Sequence, residues 1–265
     1  MTTPASPSTL PLFYRSPMLL RSNAHGTLGL RREGNFSFTA GASAVPLVAS
    51  EFALAGRHYP IVFATDDSAV PLAVLGVTAG HNLFVDETGQ WRMGAYVPAY
   101  VRRYPYIAMV DQAGGQMMLG VDSASTRLAS HTETNVEPFF DQEGQPTETS
   151  RSAMAFCEAY AREGEHIAAF AQALTQNGLL VERAVRIRYD GLPDPAAEAD
   201  GTPGAHAIVN GFRLVDEAAF RALPADVLAE FHAKGWSDLI VLHLASQLSW
   251  QALVSVSAPV QVEAA

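Results

Sequence analysis

The order of the sequence patterns predicts an α+β protein. We expect a strand-rich N-terminal half with a mixed or antiparallel sheet, then a long helix, a hairpin and C-terminal helices. Short apolar runs separated by turn residues fill the first 130 residues, which is typical of strands. An apolar face at helical spacing then runs through residues 149–177 and stops at Gly178. Because strands and helices are grouped rather than alternating, the pattern favours α+β over repeated β-α-β units.

The N-terminal half contains two predicted helical segments among short strands. One is residues 97–103, expected to form one or two helical turns with Pro98 at their start. Ser43 is the expected cap of a helix that has Pro46 in its first turn and ends at Gly56. Gly114 and Gly115 separate two apolar runs and predict a hairpin. The predicted strands are 35–38, 60–65, 70–77, 83–85, 106–110 and 116–121.

The C-terminal half is predicted to return to strands before it ends in helices. Residues 181–189 and 207–215 alternate in polarity, so we expect a hairpin whose long tip is the Pro- and Gly-rich loop 190–204. Asp216 is the expected cap of a short helix, and a second helix is expected to begin at Pro224 and end at Gly235. Ser237 is the expected cap of a final helix through residue 253.

Length and composition fit one large domain. The chain has 265 residues, 48% of them hydrophobic. Residues 1–17 are rich in Pro, Ser and Thr and predict a mobile arm, and residues 18–258 predict a single α+β domain. The change of character near residue 131 leaves two lobes, 18–130 and 148–258, as the alternative division.

Charge and hydropathy exclude several classes of partner. A formal net charge of −10 argues against general binding to the nucleic-acid backbone, which requires a clustered cationic field. No apolar run approaches the roughly 20 residues that a membrane helix needs, and the N-terminus lacks the pattern of a signal peptide. We therefore expect no membrane insertion and a cytoplasmic protein. Cys157 is the single cysteine, so no intrachain disulfide can form, and its apolar neighbours predict a buried, inert thiol.

The strongest candidate for a binding site lies between residues 81 and 106. Two arginines occur there among several aromatic side chains, in a protein that is otherwise acidic. Guanidinium groups and amphipathic aromatic rings are typical of recognition surfaces. The candidate ligand- or partner-binding residues are His81, Asn82, Trp91, Tyr96, Tyr100, Arg102, Arg103 and Tyr104.

The arginine pair has two interpretations at this level. Arg102 or Arg103 could pair with a carboxylate of the same chain, such as Asp86 or Asp141, and stabilise the fold. Alternatively, one guanidinium binds a carboxylate or a peptide carbonyl of a partner, between the aromatic side chains.

No catalytic or cofactor motif accompanies this surface. The chain has no nucleophile elbow, no phosphate-binding loop and no dinucleotide fingerprint. The eight histidines are scattered and lack the spacing of metal ligands, so we predict no catalytic residues, no metal and no cofactor. His81, at the entrance to a strand, is the best functional histidine. Stoichiometric iron or zinc that is lost on changing His81 or His58 would overturn this prediction.

Several short segments carry a family resemblance that spans residues 25–250. They are GHNLFV at 80–85 with Gly89 and Trp91, YVP at 96–98 with Arg102, Arg103, Tyr104 and Pro105, EPFFD at 137–141 with Gly144, GFRLVDE at 211–217 with Leu223 and Pro224, and the helical segment 239–248 with His243 and Ser246. In this order and spacing they resemble the SapC family of bacterial proteins.

The resemblance implies an accessory role rather than a reaction. The family name comes from loci for a bacterial surface layer (S-layer), where such a protein is thought to assist export or assembly. Similar proteins are often encoded beside TonB-dependent receptors, flavin-dependent halogenase-like proteins and cupin-like proteins. We therefore expect a non-catalytic accessory or adaptor protein that binds a peptide or protein partner, in surface-protein export or in peptide modification or uptake. The alternative is an enzyme or enzyme subunit that acts on peptides with a halogenase or oxygenase partner and a possible metal requirement. The sequence leaves open whether the protein forms a homo-oligomer.

Overall fold

The computed structural model of the protein describes residues 10–32, 34–111, 115–188 and 206–257. The chain forms two compact units, each built from two separated stretches. Unit 1 consists of Met1–Phe38 and Arg103–Ala159, and unit 2 consists of Thr39–Arg102 and Tyr160–Ala265. The single-domain prediction for residues 18–258 and the alternative of two lobes both stay predictions.

Strands and helices follow one another in the predicted α+β order. Within the described residues the strands are β1 (Pro17–Leu19), β2 (Leu28–Arg31), β3 (Ala44–Pro46), β4 (Ile61–Phe63), β5 (Pro71–Val74), β6 (Tyr106–Val110), β7 (Met117–Asp122), β8 (Leu128–Ser130), β9 (Val136–Pro138), β10 (Leu180–Arg188) and β11 (His206–Val215). The helices are α1 (Ser22–His25), α2 (Phe52–Ala55), α3 (Ala99–Arg103), α4 (Glu148–Gln176), α5 (Glu217–Arg221), α6 (Ala225–Ala233), α7 (Trp236–Ser246) and α8 (Ser249–Ser257). The α+β class is confirmed, and every described strand pairing is antiparallel.

Unit 1 contains two small three-stranded sheets around one apolar cluster. The strand orders are β1-β7-β6 and β8-β2-β9. Leu20, Leu30, Val121 and Phe139 form the buried cluster, and Phe140 packs against it. The hydrophobic effect explains why two adjacent aromatic residues in a polar loop turn toward this cluster.

Part of the predicted N-terminal arm is bound to unit 1. Residues 1–9 lie outside the described residues. The backbone N–H groups of Arg15 and Ser16 donate to the carboxylate of Asp122 at 3.1 and 2.7 Å. The hydroxyl of Tyr14 donates to the carbonyl oxygen of Tyr106. These bonds tie the residues just before β1 to the sheet that β1 joins.

Unit 2 is built on a five-stranded sheet in the order β10-β11-β4-β5-β3. The long hairpin β10–β11 has the predicted form, although its tip at 190–204 lies outside the described residues. Helix α4 enters the unit, and its Phe170 packs edge-on against Phe52 and Phe63 at ring-centroid distances of 6.3 and 6.1 Å. Trp236, at the start of α7, lies 6.2 Å from the same ring. Burial of these rings stabilises the unit, because aromatic side chains remove large apolar areas from water.

Helix α7 completes the hydrogen bonding of the sheet in unit 2. The backbone N–H of Ile61 donates to Ser246 Oγ at 2.9 Å, and Gln247 Nε2 donates to the carbonyl of Ile61 at 2.8 Å. The N–H of Val215 donates to His243 Nε2 at 3.1 Å. Burial of His243 lowers its pKa from 6.5 to about 4. His243 and Ser246 therefore serve as buried hydrogen-bonding partners of strands β4 and β11.

Three predicted elements of the N-terminal half are wrong. Residues 83–85 form no strand, because only Val85 makes an isolated bridge, with Trp91. Residues 35–38 do not form a strand, because the chain makes a single 3-10 turn at Ser37–Thr39. The helix predicted for 43–56 begins instead as strand β3, which pairs with β5, and turns helical only over Ala49–Glu51 and α2. The apolar spacing at Val45 and Val48 fits both structures over so short a run. Pairing with β5 decides in favour of the strand.

The C-terminal predictions are correct except at the last helix. Asp216 caps α5 by accepting from the N–H groups of Ala218 and Ala219. The long helix runs over Glu148–Gln176, and Gly178 follows with a φ of 64°, which suits a helix stop. The final helix is two helices, because α7 ends at Ser246 and α8 begins at Ser249. The cap of α7 is Gly235 rather than Ser237.

Candidate functional site

The exposed arginine of the candidate site is held by a chain of hydrogen bonds that begins at a buried carboxylate. In unit 2, Glu51 is 3% exposed and accepts from the hydroxyl of Tyr96 at 2.8 Å. The same hydroxyl accepts from Arg102 Nη2 at 3.1 Å, and Arg102 Nε donates to the carbonyl of Val97 at 3.0 Å. The guanidinium carbon lies 5.7 Å from the centre of the Tyr96 ring. Arg102 is therefore exposed but oriented.

Glu51 is fixed by backbone groups as well as by Tyr96. Its Oε1 accepts from the N–H of Ala99 at the start of α3, and its Oε2 accepts from the N–H of Val48 at 3.2 Å. Burial raises the pKa of Glu51, while these hydrogen bonds and the nearby Arg102 act to lower it. The carboxylate thus joins the turn that contains it to the first turn of α3. This helix carries Arg102.

Tyr96 is held on its other side by a second tyrosine. The hydroxyl of Tyr59, fully buried, donates to the carbonyl oxygen of Tyr96. The indole N–H of Trp91 donates to the Tyr59 hydroxyl at 3.3 Å. Burial raises the pKa of Tyr96, and the Glu51 carboxylate adds to that effect. Trp91 is half-buried and supports Tyr96 through Tyr59, so hydrogen bonds link two aromatic residues of the candidate segment through a third that lies outside it.

Asn82 and His81 are adjacent in sequence but lie in different environments. Asn82 is 1% exposed, and its Nδ2 donates to the hydroxyl of Thr39 at 3.1 Å. Its Oδ1 accepts from the N–H of Phe84 at 2.9 Å. Asn82 therefore holds two backbone segments together inside unit 2. His81 is exposed and its N–H donates to the carbonyl of Thr78.

Two tyrosines of the candidate set are buried packing residues. Tyr100 lies in α3 of unit 2 and makes an edge contact with Tyr160 at 6.2 Å. Tyr104 lies in unit 1, where its ring stacks on Phe38 at 4.2 Å and its hydroxyl donates to Asp122 at 3.1 Å. Both side chains are buried, so the structure does not present these two candidate binding residues on the surface.

Arg103 differs from Arg102 in exposure and in its contacts. It is half-buried in unit 1, with its guanidinium carbon 5.7 Å from the centre of the Tyr14 ring. The two carboxylates suggested as partners for the arginines lie in tight turns. Asp86 accepts from Thr88 and Gln90 of its turn, and Asp141 accepts from Glu143 and Gln145 of its own.

The histidines and the cysteine give no metal centre in the part of the chain that the structure describes. No group of three or more His, Cys, Asp or Glu side chains is placed there to hold a metal ion. Cys157 is buried, as predicted, and burial raises the pKa of its thiol to about 11. The thiol is protonated at neutral pH, so it is a poor nucleophile.

Sequence reasoning missed Glu51, on which the geometry of Arg102 depends. Glu51 lies inside the helix predicted for residues 43–56, where an acidic residue ordinarily belongs to the solvated face. The sequence feature that could have indicated burial is the position of Glu51 directly before the apolar Phe52, in a stretch with few charges. A buried carboxylate needs several donors, and two of its three come from residues more than 40 positions away, which no local pattern indicates.

In the described residues no helix combines the length and the apolar character needed to cross a membrane. No curated protein and no solved structure matches the chain. The family model described as SapC matches residues 20–253, which include both arginines, Tyr96 and Glu51. A match over nearly the whole chain shows that this protein belongs to the SapC family.

Proposed function

We propose that this protein is a non-catalytic accessory protein that binds a peptide or a protein segment through Arg102. The single observation that supports the proposal is the orientation of this exposed guanidinium by Tyr96 and Val97, with Glu51 behind Tyr96. A side chain that is held in place loses less entropy when it binds, so its hydrogen bonds contribute more to affinity. Bidentate contacts of arginine to a carboxylate, or its contacts to peptide carbonyls, are the expected interactions.

The cellular role that we propose is based on the loci in which SapC-like proteins are encoded. We place the protein in the cytoplasm, where it assists surface-protein export or the modification or uptake of peptides. The acidic surface of the chain would favour a partner segment with basic residues around the group that Arg102 binds. Arg102 then serves as the anchor, and the surrounding surface improves complementarity.

Substitution of Arg102 tests the proposal. The purified wild-type chain is used to capture partners from the native cell extract, and the captured proteins are identified by mass spectrometry. With the purified partner, Arg102→Ala is expected to weaken binding about 10- to 100-fold, as for an anchor residue. The melting temperature should stay within about 2 °C, because an exposed side chain contributes little to stability.

Two matched variants show whether the effect is specific. Arg162→Ala removes another exposed arginine of unit 2 and should leave binding unchanged. Arg103→Ala removes the half-buried neighbour in unit 1 and should lower stability more than affinity. The proposal fails if Arg102→Ala binds the captured partner as well as the wild type does, or if it loses affinity only in proportion to a loss of folded protein.

A further inference from the structure

A second surface of unit 2, which shares no residue with the Arg102 anchor, has the chemistry of an anion site. It is a pocket of about 290 Å³ whose lining includes Arg57, His58, Phe84, Arg92, Met93 and Gly94. Two arginines and a histidine thus line one concavity together with a phenylalanine. None of the described residues that line it carries a carboxylate.

The two arginines of this pocket differ from the exposed arginines that pair with acids. Within the four described stretches of the chain, the guanidinium groups of Arg57 and Arg92 form no ion pair and no hydrogen bond. Elsewhere in the described residues, exposed arginines pair with carboxylates: Arg21 with Asp111, Arg31 with Glu133, Arg32 with Glu137, Arg151 with Glu148 and Arg221 with Glu217. In a chain of net charge −10, two arginines without an internal acid leave a local positive potential.

Tight turns place both arginines at the pocket. Arg57 follows Gly56 at the end of α2, and the N–H groups of His58 and Tyr59 both donate to the carbonyl of Ala55 at 2.9 Å. On the other side, the N–H of Arg92 donates to the carbonyl of Phe84 at 2.7 Å. Backbone hydrogen bonds therefore fix the points from which the two side chains extend.

The residues that follow Arg92 form a closed turn with a glycine near its end. The N–H of Ala95 donates to the carbonyl of Arg92 at 3.1 Å, which closes the turn. Gly94 has a φ of 79°, a conformation that glycine adopts without strain. Met93 is 97% exposed at the tip, where a flexible thioether can pack on ligands of different shape.

We propose that this pocket binds a small oxyanion carried on an apolar group, such as an organic carboxylate. Guanidinium groups bind planar and tetrahedral oxyanions through paired N–H donors, so two of them can share one anion. Phe84 and Met93 supply apolar surface for the rest of the ligand, and the volume suits a molecule of about ten non-hydrogen atoms. Burial and the neighbouring Arg57 lower the pKa of His58, so a neutral imidazole is available to donate or accept one hydrogen bond.

Calorimetric titration with matched probes tests the site on the full chain at low ionic strength and pH 7.5. The probes are phenylacetate, its uncharged amide phenylacetamide, and inorganic phosphate. We expect phenylacetate to bind with a Kd of about 1 mM or lower, and phenylacetamide to bind with a Kd at least tenfold higher. The double variant Arg57→Gln/Arg92→Gln should lose at least tenfold in affinity for phenylacetate, and Arg162→Gln should lose none.

Each outcome bears on the proposal. Binding of phenylacetate that the double variant loses assigns an organic carboxylate, and binding of phosphate alone that the double variant loses assigns a free inorganic anion to the same site. No binding of either anion overturns the proposal. Equal affinities of the wild type and the double variant overturn it as well, because the anion then binds elsewhere. These results do not depend on the partner of Arg102, so the proposed function can fail while this site stands.

Discussion

Each unit of the molecule has a buried carboxylate that accepts from a tyrosine and from backbone N–H groups. In unit 1 Asp122 is fully buried and accepts from Tyr104 and from the N–H groups of Arg15, Ser16 and Ala124. In unit 2 the corresponding residue is Glu51. A buried charge is tolerated when several donors surround it, and both carboxylates meet this condition.

The two arrangements differ in what lies beyond the tyrosine. The Tyr104 ring packs between aromatic residues, with Tyr14 at 5.4 Å in addition to Phe38. The Tyr96 hydroxyl instead accepts from Arg102, so the hydrogen bonds of Glu51 extend to an exposed guanidinium. The comparison teaches that one local device, a carboxylate–tyrosine pair, stabilises the fold in one unit and orients a surface residue in the other.

Removal of the carboxylates gives the largest expected effects. Asp122→Ala leaves three backbone N–H groups and a hydroxyl without their acceptor, so we expect a loss of about 3–5 kcal/mol in the free energy of unfolding. Glu51→Ala removes the acceptor of two backbone N–H groups and one hydroxyl, and the expected loss is about 2–4 kcal/mol. Urea denaturation followed by circular dichroism measures both.

An exposed acid serves as the control for these variants. Asp67→Ala should change the unfolding free energy by less than about 0.5 kcal/mol, because Asp67 is exposed. Measurements of partner binding distinguish the roles of Glu51 and Asp122. Among molecules that remain folded, Glu51→Ala should weaken capture through Arg102, whereas Asp122→Ala should not. If both variants lower stability equally and neither changes binding, the distinction between the two carboxylates is wrong.

The pH dependence of stability gives the next largest effect. The pKa of His243 is lowered from 6.5 to about 4 in the folded state, so the unfolded chain binds a proton first as the pH falls. Its contribution is complete above pH 6.5 and is lost between pH 6.5 and about 4, with a magnitude of about 3 kcal/mol. Unfolding free energies measured between pH 7 and 4 should show this decline, and His243→Gln should remove it.

The same titration sharpens the comparison of the two units. The pKa of Glu51 is raised from 4.5, so the folded state binds that proton first and Glu51 contributes a gain in stability as the pH falls through its raised pKa. In a His243→Gln background this gain should become measurable, and Glu51→Ala should abolish it. A His243→Gln protein that keeps the full decline of the wild type would contradict the assignment to His243.

The fold was predictable where local chemistry decides it. Asp86 and Gly89, like Asp141 and Gly144, form the same turn, in which the aspartate accepts from the residues two and four positions later. These turns follow from the sequence, because the aspartate side chain accepts from N–H groups of the same turn and the glycine adopts a positive φ. Helix α4 was equally clear, since its apolar face repeats over eight turns.

The candidate site was predictable only in part, because its geometry depends on distant residues. The sequence identified Arg102 and Tyr96, but it could not indicate which of several tyrosines would be buried. Tyr100 and Tyr104 lie inside, because each packs on a ring from another element. The partner of Tyr96 is Glu51, 45 residues earlier in the chain, and such a contact exists only after tertiary folding.

Removal of one hydroxyl from each tyrosine gives the smallest and most specific test. Tyr96→Phe and Tyr104→Phe each remove one hydrogen bond to a buried carboxylate, so we expect similar losses of about 0.5–1.5 kcal/mol in the unfolding free energy. Tyr96→Phe also removes an acceptor of Arg102 and should weaken partner binding about 2- to 10-fold. Denaturation and titration with the captured partner measure the two quantities.

The contrast between these two variants isolates the orientation of Arg102 from stability. Tyr104→Phe should bind the partner as the wild type does, since its hydroxyl contacts Asp122 in unit 1. Arg102→Ala combined with Tyr96→Phe should bind no more weakly than Arg102→Ala alone, because the hydroxyl acts on binding through the guanidinium. Additive losses in the double variant would mean that Tyr96 contacts the partner itself, and the chain from Glu51 to Arg102 would then be structural support for a different surface.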